Sequence, residues 1–343
     1  MFKRKTVFIV GAGASKEVGL PVGDELKNSI AGKLKIRFDD GYNQSSGDKK
    51  IFEALRLIVN ERGGRDINPL CQSGRIIASA MPQAISIDNF LHTHANDADI
   101  VLMGKLGIAA SILEAERSSK ICAKEGVMDF GSHPHIWHNT FCKMLAEGVQ
   151  LGDLDKIFDN VAFITFNYDR CIEHYISYWL ENYFRISADH AQNLTRKLKV
   201  FHPYGQVGRL PWQGGGNSVG YGTELSSRTL PQIANQIRTF TERVDDDAML
   251  DEMRGYIADA EQIIYLGFSY GQMNIDLLTI AQCTTPKNIF GTVLGLSHPN
   301  VDAINDRLDR SLTTPPMNWI NRRDLASSTA NELLNNYWYH LAG

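Results

Sequence analysis

The fold predicted for this chain rests on residues 7–15, Val7-Phe8-Ile9-Val10-Gly11-Ala12-Gly13-Ala14-Ser15, and on Gly19-Leu20-Pro21 just beyond them. Four consecutive apolar residues predict a short buried strand over Thr6–Val10, and the two glycines that follow predict a tight turn. Glycine allows a backbone to approach a ligand closely, and free N–H groups at a strand-to-helix turn commonly bind a diphosphate. Lys16 replaces the third glycine of the common dinucleotide fingerprint, and the Walker pattern is absent. The turn alone therefore leaves a nucleotide loop and an ordinary tight turn equally open.

The composition is that of a globular protein with one large domain or two modest ones, because 343 residues bury enough surface without disulfides or a metal. The formal net charge of −4 gives no electrostatic case for a nucleic-acid ligand, so no direct nucleic-acid binding is expected. The five cysteines are scattered and form no C-x-x-C pair, which argues against a structural zinc ribbon and favours a reducing compartment.

No membrane association is expected either. The apolar run before Gly11 is too short for the hydrophobic region of a signal peptide, although three basic residues precede it. Residues 100–113 are apolar but contain Lys105, and the stretch is shorter than the roughly 18–20 residues that a membrane span needs. These observations predict a cytoplasmic protein.

Four further strands are predicted from short apolar runs that end in polar or glycine-rich residues: 161–166, 199–202, 262–266 and 289–296. Helical patterns separate most of them, so we predict an α/β fold with a Rossmann-like parallel sheet. In such sheets, ligands bind outside the carboxyl ends of the strands. One crevice should therefore gather five strand-end segments: Gly11–Ser15, Asn167–Asp169, His202, Gly267–Ser269 and Gly295–Ser297.

Residues from about 36 to 155 are predicted to form a helical insertion within a single domain, whose core comprises residues 1–35 and 156–343. Apolar residues recur at helical intervals through most of this insertion. Residues 39–50 are polar and rich in glycine and serine, which predicts a loop.

Three neighbouring histidines, His133, His135 and His138, suggest a metal site in the same insertion. Pro134 breaks the helix that would align them, and no acid stands at the spacing of a helical metal ligand. We therefore predict no bound metal.

Four short motifs resemble those of the sirtuin superfamily, in the same order and with roughly the same spacing. They are G-A-G-A-S at 11–15 with G-L-P at 19–21, T-F-N-Y-D at 165–169, His202 with Gly205, and G-F-S at 267–269. The sirtuin counterparts are G-A-G-x-S with G-[IL]-P, T-Q-N-x-D, H-G and G-T-S. Together the motifs cover the α/β part, which is about half of the chain.

The departures from this superfamily point to one branch of it. Deacylating sirtuins carry paired C-x-x-C zinc ligands between the His and Gly-Ser motifs, whereas residues 202–267 contain no cysteine. The D-F-R of many sirtuins is replaced by V-G-D-E at 22–25, and T-Q-N has become T-F-N. These changes resemble the SIR2-like effectors of bacteria, which act in antiphage defence by destroying NAD.

The resemblance implies an enzyme, an NAD+ glycohydrolase that cleaves NAD+ to nicotinamide and ADP-ribose and uses NAD as its substrate without a metal. It also implies activation by homo-oligomerisation or by a separately encoded partner protein of the defence system, for example a HerA-like ATPase or a short Argonaute. Two alternatives stay open: a sirtuin-type deacylase or ADP-ribosyltransferase, and an NAD or ADP-ribose sensor without turnover.

With this resemblance, Asn167, His202 and Asp169 are the predicted catalytic residues. An amide both donates and accepts, so Asn167 suits the ribose hydroxyls or the attacking water, and His202 suits a general base because imidazole titrates near neutral pH. Asp169 would orient Asn167 or a helix N-terminus. The predicted cofactor-binding residues are Gly11, Ala12, Gly13 and Ser15 around the diphosphate, Pro21 and Gly267 beside them, and Ser269 and Ser297 at the adenosine half.

Overall fold

Six parallel strands form the central sheet of the protein. The computed structural model describes residues 1–40, 43–215, 218–239, 242, 247–312 and 319–342. The strands are β1 (Thr6–Val10), β2 (Arg37–Phe38), β3 (Gln44–Ser46), β4 (Val161–Thr165), β5 (Lys199–Phe201), β6 (Gln262–Leu266), β7 (Lys287–Thr292) and β8 (Ile320–Ala326). The sheet has the order β5-β4-β1-β6-β7-β8, and β2 pairs with β3 in a separate antiparallel hairpin.

The order of the strands identifies the architecture. Counted along the chain, the six strands of the sheet follow the order 3-2-1-4-5-6, which is the doubly wound arrangement of Rossmann folds. Strand β1 is central and pairs in parallel with β4 on one side and β6 on the other. The predicted α/β class with a Rossmann-like parallel sheet is confirmed.

Helices cover both faces of the sheet. They are α1 (Ala12–Ser15), α2 (Gly23–Leu34), α3 (Lys49–Glu61), α4 (Asn68–Ala80), α5 (Ile87–Thr93), α6 (Ala98–Ser118), α7 (Trp137–Ala146), α8 (Cys171–Phe184), α9 (Ala188–Thr195), α10 (Leu230–Ala234), α11 (Asp247–Asp259), α12 (Gln272–Leu278), α13 (His298–Leu312), α14 (Ala330–Asn336) and α15 (Trp338–Leu341). Across the described ranges, no helix is both long and apolar enough to cross a bilayer.

The alternation of side chains along β1 builds two hydrophobic cores. Val7 and Ile9 point to one face and join a core made with α2, α4 and α6. Phe8 and Val10 point to the other face, where the ring of Phe8 lies 5.0 Å from that of Phe163 and 5.2 Å from that of Phe141 on α7. Burial on both faces explains why the sequence of β1 is an unbroken apolar run.

The segment predicted as a helical insertion, residues 36–155, contains α3 to α7 and the β2–β3 hairpin. The loop prediction for residues 39–50 is wrong in part, because Gln44–Ser46 pairs with β2 and α3 begins at Lys49. Short polar strands of this kind lack the alternation of apolar and polar residues from which a strand is predicted. The division of the chain into core and insertion stays a prediction.

Strand β8 was not predicted from the sequence. This strand pairs in parallel with β7 at the edge of the sheet, and its middle contains the charged residues Arg322, Arg323 and Asp324. Charged side chains are common on edge strands, where they discourage pairing with another chain. Arg323 reaches back to Asp309 of α13 at 2.6 Å, so these charges also attach the edge to its covering helix.

The turns that follow β1 and β6 are in direct backbone contact. The N–H of Gly11 donates to the carbonyl of Leu266 at 2.9 Å, and the N–H of Gly13 donates to that of Gly267 at 3.0 Å. A Cβ on Gly11 or Gly13 would lie 2.6 Å or 2.9 Å from the Gly267 carbonyl oxygen. A Cβ on Gly267, whose φ is +57°, would lie 1.9 Å from the Ala14 nitrogen. Packing between two turns therefore requires glycine at these positions.

We expect Gly267→Ala to lower the free energy of unfolding by about 3 kcal/mol, near the upper end of ordinary single substitutions, because the new methyl overlaps the α1 backbone. Gly255→Ala is the matched control: Gly255 lies inside α11 with open space around the position of its Cβ. That change should leave stability equal or slightly higher. Urea denaturation measures both, and equal midpoints for Gly267→Ala and the wild type would contradict the packing requirement.

Candidate active site at the carboxyl ends of the sheet

The order of the sheet reverses between β1 and β6, and such switch points are where doubly wound folds bind ligands. The predicted site segments follow five neighbouring strands at this same end: Gly11–Ser15 after β1, Asn167–Asp169 after β4, His202 after β5, Gly267–Ser269 after β6 and Ser297 after β7. They therefore lie along one edge of the sheet.

A chain of buried hydrogen bonds joins the turns after β1 and β4. The amide of Asn167 donates to the hydroxyl of Ser15 at 2.9 Å, and that hydroxyl donates to Asp169 Oδ2 at 2.9 Å. The other oxygen of Asp169 accepts the backbone N–H of Cys171 at 3.1 Å, in the first turn of α8. All three side chains are buried. Asp169 thus contacts both a helix N-terminus and, through Ser15, the side chain of Asn167.

This chain leaves the side-chain oxygen of Asn167 without a partner in the described structure. Its Oδ1 accepts no hydrogen bond from the described residues, while its Nδ2 and backbone N–H are both engaged within the protein. The hydroxyl proton of Ser15 is already donated to Asp169, so the predicted contact of that hydroxyl with a diphosphate would require it to leave Asp169.

The glycine turn offers fewer free donors than its sequence suggests. The N–H groups of Gly11 and Gly13 donate to the end of β6, as described above. Ala12 makes no backbone hydrogen bond to another element within the described chain. Pro21 is half-buried, two residues after Gly19, whose φ of +93° makes the turn that leads into α2. The diphosphate roles of Gly11, Ala12, Gly13, Ser15 and Pro21 stay predictions.

His202 lies between two acceptors from the segment that follows β4. Its Nε2 is 3.1 Å from Oε1 of Glu173 on α8, and its Nδ1 is 3.4 Å from the backbone carbonyl oxygen of Asn167. Burial works to lower the pKa of His202, but the Glu173 carboxylate, helped by Asp169, raises it overall. Burial likewise works to raise the pKa of Glu173, and His202 lowers it overall. The two side chains therefore favour a charged pair.

A second buried pair holds the turn that carries Asn167. Arg170, the residue after Asp169, contacts Glu116 of α6 through two nitrogens, and neither side chain is exposed. The guanidinium also donates to the carbonyls of Val219 and Gly220. Burial raises the pKa of Glu116, and the Arg170 guanidinium opposes that shift. The pair ties α6 to the start of α8.

Helix α5 connects the segments that follow the two neighbours of β1. Asp88 accepts a hydrogen bond from the hydroxyl of Tyr168, which follows β4. The side chain of Asn89 contacts the sulfur of Met273 at 4.0 Å on α12, which follows β6. Burial raises the pKa of Asp88. Residues between 36 and 155 therefore reach the candidate site through α5 as well as α6.

The two serines predicted to contact adenosine are exposed. Ser269 lies between buried Phe268 and Tyr270, and Tyr270 has a φ of +55°, an uncommon conformation for a bulky residue. Ser297 precedes α13 and its carbonyl accepts the N–H of Val301 at 3.0 Å. Gly267 belongs to the backbone contact with α1. The contacts of the described residues do not test whether Ser269, Ser297 and Gly267 bind a ligand, so their roles stay predictions.

Three residues near the site, Glu173, Glu116 and Asp88, were not predicted from the sequence. Glu173 had a weak signal, because it is an acid in the first turn of the helix predicted after Asp169. Glu116 and Asp88 lie 54 and 80 residues from their partners, and no local pattern connects residues so far apart.

The three neighbouring histidines, His133, His135 and His138, have different surroundings. His138 is buried against Trp137, with ring centroids 3.9 Å apart and both ring nitrogens without a hydrogen-bond partner in the described structure, and burial lowers its pKa to about 3. His133 and His135 lie outside the core. Among the residues that the structure describes, no group of three or more His, Cys, Asp or Glu side chains is arranged to hold a metal ion.

Comparisons with known proteins find little similarity. No model of a protein family matches this chain, and no curated protein matches it. Among solved structures, the chain is similar to a Sir2 homolog determined as a complex with NAD, with a TM-score of 0.42 and 14% sequence identity. That match covers 99% of this chain and 90% of the other.

We expect Glu116→Gln to lower the free energy of unfolding by about 3–5 kcal/mol, because it leaves the Arg170 charge buried without a counter-charge. The control is Asp155→Asn, which removes one partner of the exposed Asp155–Lys197 pair and should leave the urea midpoint unchanged. An equal midpoint for Glu116→Gln and the wild type would show that the buried pair does not stabilise this turn.

Proposed function

We propose that this protein is an NAD+ glycohydrolase that cleaves NAD+ to nicotinamide and ADP-ribose at the carboxyl ends of β1, β4 and β5. The observation that carries the proposal is the setting of Asn167. Its amide is held by Ser15, its Oδ1 has no partner in the described chain, and His202 lies against its backbone carbonyl. A fixed amide beside an imidazole suits the positioning and deprotonation of a hydroxyl or a water.

Cleavage of NAD+ requires groups of the kind that the turn after β4 and the neighbouring His202 contain. Breaking the N-glycosidic bond of NAD+ leaves an oxocarbenium-like ribose, as in other glycoside cleavages. The nicotinamide ring already carries a positive charge, so it departs as a neutral molecule and needs no strong acid. What remains is to hold the ribose and a water and to accept a proton. In the proposal, Asn167 does the first and His202 the second.

The rest of the dinucleotide would lie across the switch point. We assign the diphosphate to the turn after β1, where Ala12 keeps a backbone donor, and the adenosine half to the neighbouring turns with exposed Ser269 and Ser297. Because β1, β6 and β7 are adjacent strands about 4.8 Å apart, these turns lie within the length of one dinucleotide. The proposed reaction uses no metal.

We further propose that the enzyme serves a bacterial antiphage defence system as a cytoplasmic SIR2-like effector. The support is the set of motifs at residues 11–15, 165–169 and 267–269 together with the absence of the cysteine pairs of deacylating sirtuins. An enzyme that destroys NAD has to be silent until it is needed. We therefore expect activation by homo-oligomerisation or by a separately encoded partner, for example a HerA-like ATPase or a short Argonaute.

The test is to incubate the purified protein with NAD+, alone and together with the product of its neighbouring gene, and to measure nicotinamide and ADP-ribose by chromatography. Equal amounts of both products support the proposal. Binding of NAD+ by calorimetry without cleavage under any activation would favour a sensor. Release of nicotinamide only when an acylated peptide or an acceptor protein is added would favour a deacylase or an ADP-ribosyltransferase.

In the activated enzyme, we expect Asn167→Ala to lower the rate of NAD+ cleavage by about 10²–10⁴-fold, because the ribose or water loses its positioning group. The affinity for NAD+ should persist, since the diphosphate and adenosine contacts are separate. Asn193→Ala, an exposed asparagine on α9, is the control and should behave as the wild type. A wild-type rate of NAD+ cleavage in Asn167→Ala would contradict the proposed mechanism.

A further inference from the structure

His202 meets two acceptors that are chemically different. Glu173 Oε1 lies 3.1 Å from Nε2, and the carbonyl oxygen of Asn167 lies 3.4 Å from Nδ1. A carboxylate only accepts hydrogen bonds, so Nε2 carries a proton in every state in which this contact is kept. The contact at Nδ1 is longer than an ordinary N–H···O hydrogen bond and holds that nitrogen weakly.

The pairing therefore selects one tautomer of neutral His202. With the proton fixed on Nε2, the lone pair is on Nδ1, which lies on the Asn167 side of the ring. Asn167 is the residue whose side chain keeps a free oxygen for a ligand. The basic nitrogen of His202 therefore lies beside the backbone of Asn167, the residue to which the proposed function assigns the ribose and the water.

We propose that Glu173 is the positioning residue of a Glu173–His202 pair, in which Glu173 holds Nε2–H so that Nδ1 accepts a proton during NAD+ cleavage. The inference rests on the proposed function and adds a residue to it. Nothing in the sequence motifs marks Glu173, which lies in the first turn of α8, four residues after Asp169. The arrangement is that of a histidine base oriented by a carboxylate.

The proton balance of the step is simple. The C1′–N bond of NAD+ breaks and its electron pair goes to the nicotinamide nitrogen. A water oxygen forms the new bond to C1′, and the water proton goes to Nδ1 of His202. The Nε2 proton stays between His202 and Glu173, and the imidazolium later releases its Nδ1 proton to solvent.

The charges around the ring decide how the pair responds to pH. Burial works against the imidazolium, while the carboxylates of Glu173 and Asp169 and the Asn167 carbonyl stabilise it, so the pKa of His202 is raised overall. Arg170, itself paired with Glu116, also lowers the pKa of Glu173 and so supports its ionised form. Neutral His202 is the active base, so activity should rise as pH passes upward through this raised pKa.

The experiment compares Glu173→Gln with Glu181→Gln, which removes a charge two turns further along the same helix. In the activated enzyme, Glu173→Gln should lower kcat by about 10²–10⁴-fold with little change in KM, because the tautomer and the basicity of His202 are lost. The acid limb of its pH profile should move to lower pH, since burial then acts without the opposing carboxylate. Glu181→Gln should keep the wild-type profile.

A second readout needs no turnover. We would titrate the imidazole of His202 by NMR in the free protein, with its signals assigned by their loss in His202→Gln. The wild-type pKa should lie above that of free histidine, about 6.5, fall in Glu173→Gln and stay in place in Glu181→Gln. An unchanged pH limb in Glu173→Gln overturns the inference. If that variant folds poorly, the wild type alone still decides, because a wild-type pKa below that of free histidine also overturns it. Failure of the activated wild type to cleave NAD+ overturns the proposed function instead, while the titration still decides whether Glu173 holds His202.

Discussion

The contact between the backbone turns after β1 and β6 is the constraint on which the site depends. It brings the glycines of both turns within van der Waals distance and uses two N–H groups that a nucleotide loop would direct at its ligand. Any side chain there would force the strand ends apart. A diphosphate at this point would therefore meet few backbone donors, and its recognition would fall more heavily on the side chains around the crevice.

Much of the fold was predictable because the sheet is buried on both faces. Strands β1 and β6 were predicted with the bounds that the structure has, since short uninterrupted apolar runs bounded by turn residues are typical of strands with helices on both sides. Strand β8 escaped prediction because its residues suit an exposed edge and ion pairs with α13, which gives it no apolar alternation. The β2–β3 hairpin escaped for a related reason, because it is short and polar.

Only those residues of the candidate site that directly follow a strand could be predicted from the sequence. Parallel strands bring their carboxyl ends together by geometry, so the convergence of Ser15, Asn167 and Asp169 followed from placing each after a strand. The sequence could not distinguish Glu173 from an ordinary acidic residue in the first turn of a helix, where a negative charge is favoured by the helix dipole. Arg170 and Glu116 meet only because the fold brings the end of α6 to the residue that precedes α8, and no local sequence pattern indicates this contact. The missed residues are those that hold the predicted ones in place.

The Arg170–Glu116 pair also gives the site a mechanical property. Separating the two side chains would leave two opposite charges buried and unpaired. The free energy needed for this is larger than that needed for a slight bend of the surrounding backbone. A displacement of α6 would therefore carry the turn with Asn167 along rather than break the pair. Helix α6 and this turn would therefore move together, so a force on α6 would displace Asn167 without any ligand bound near it.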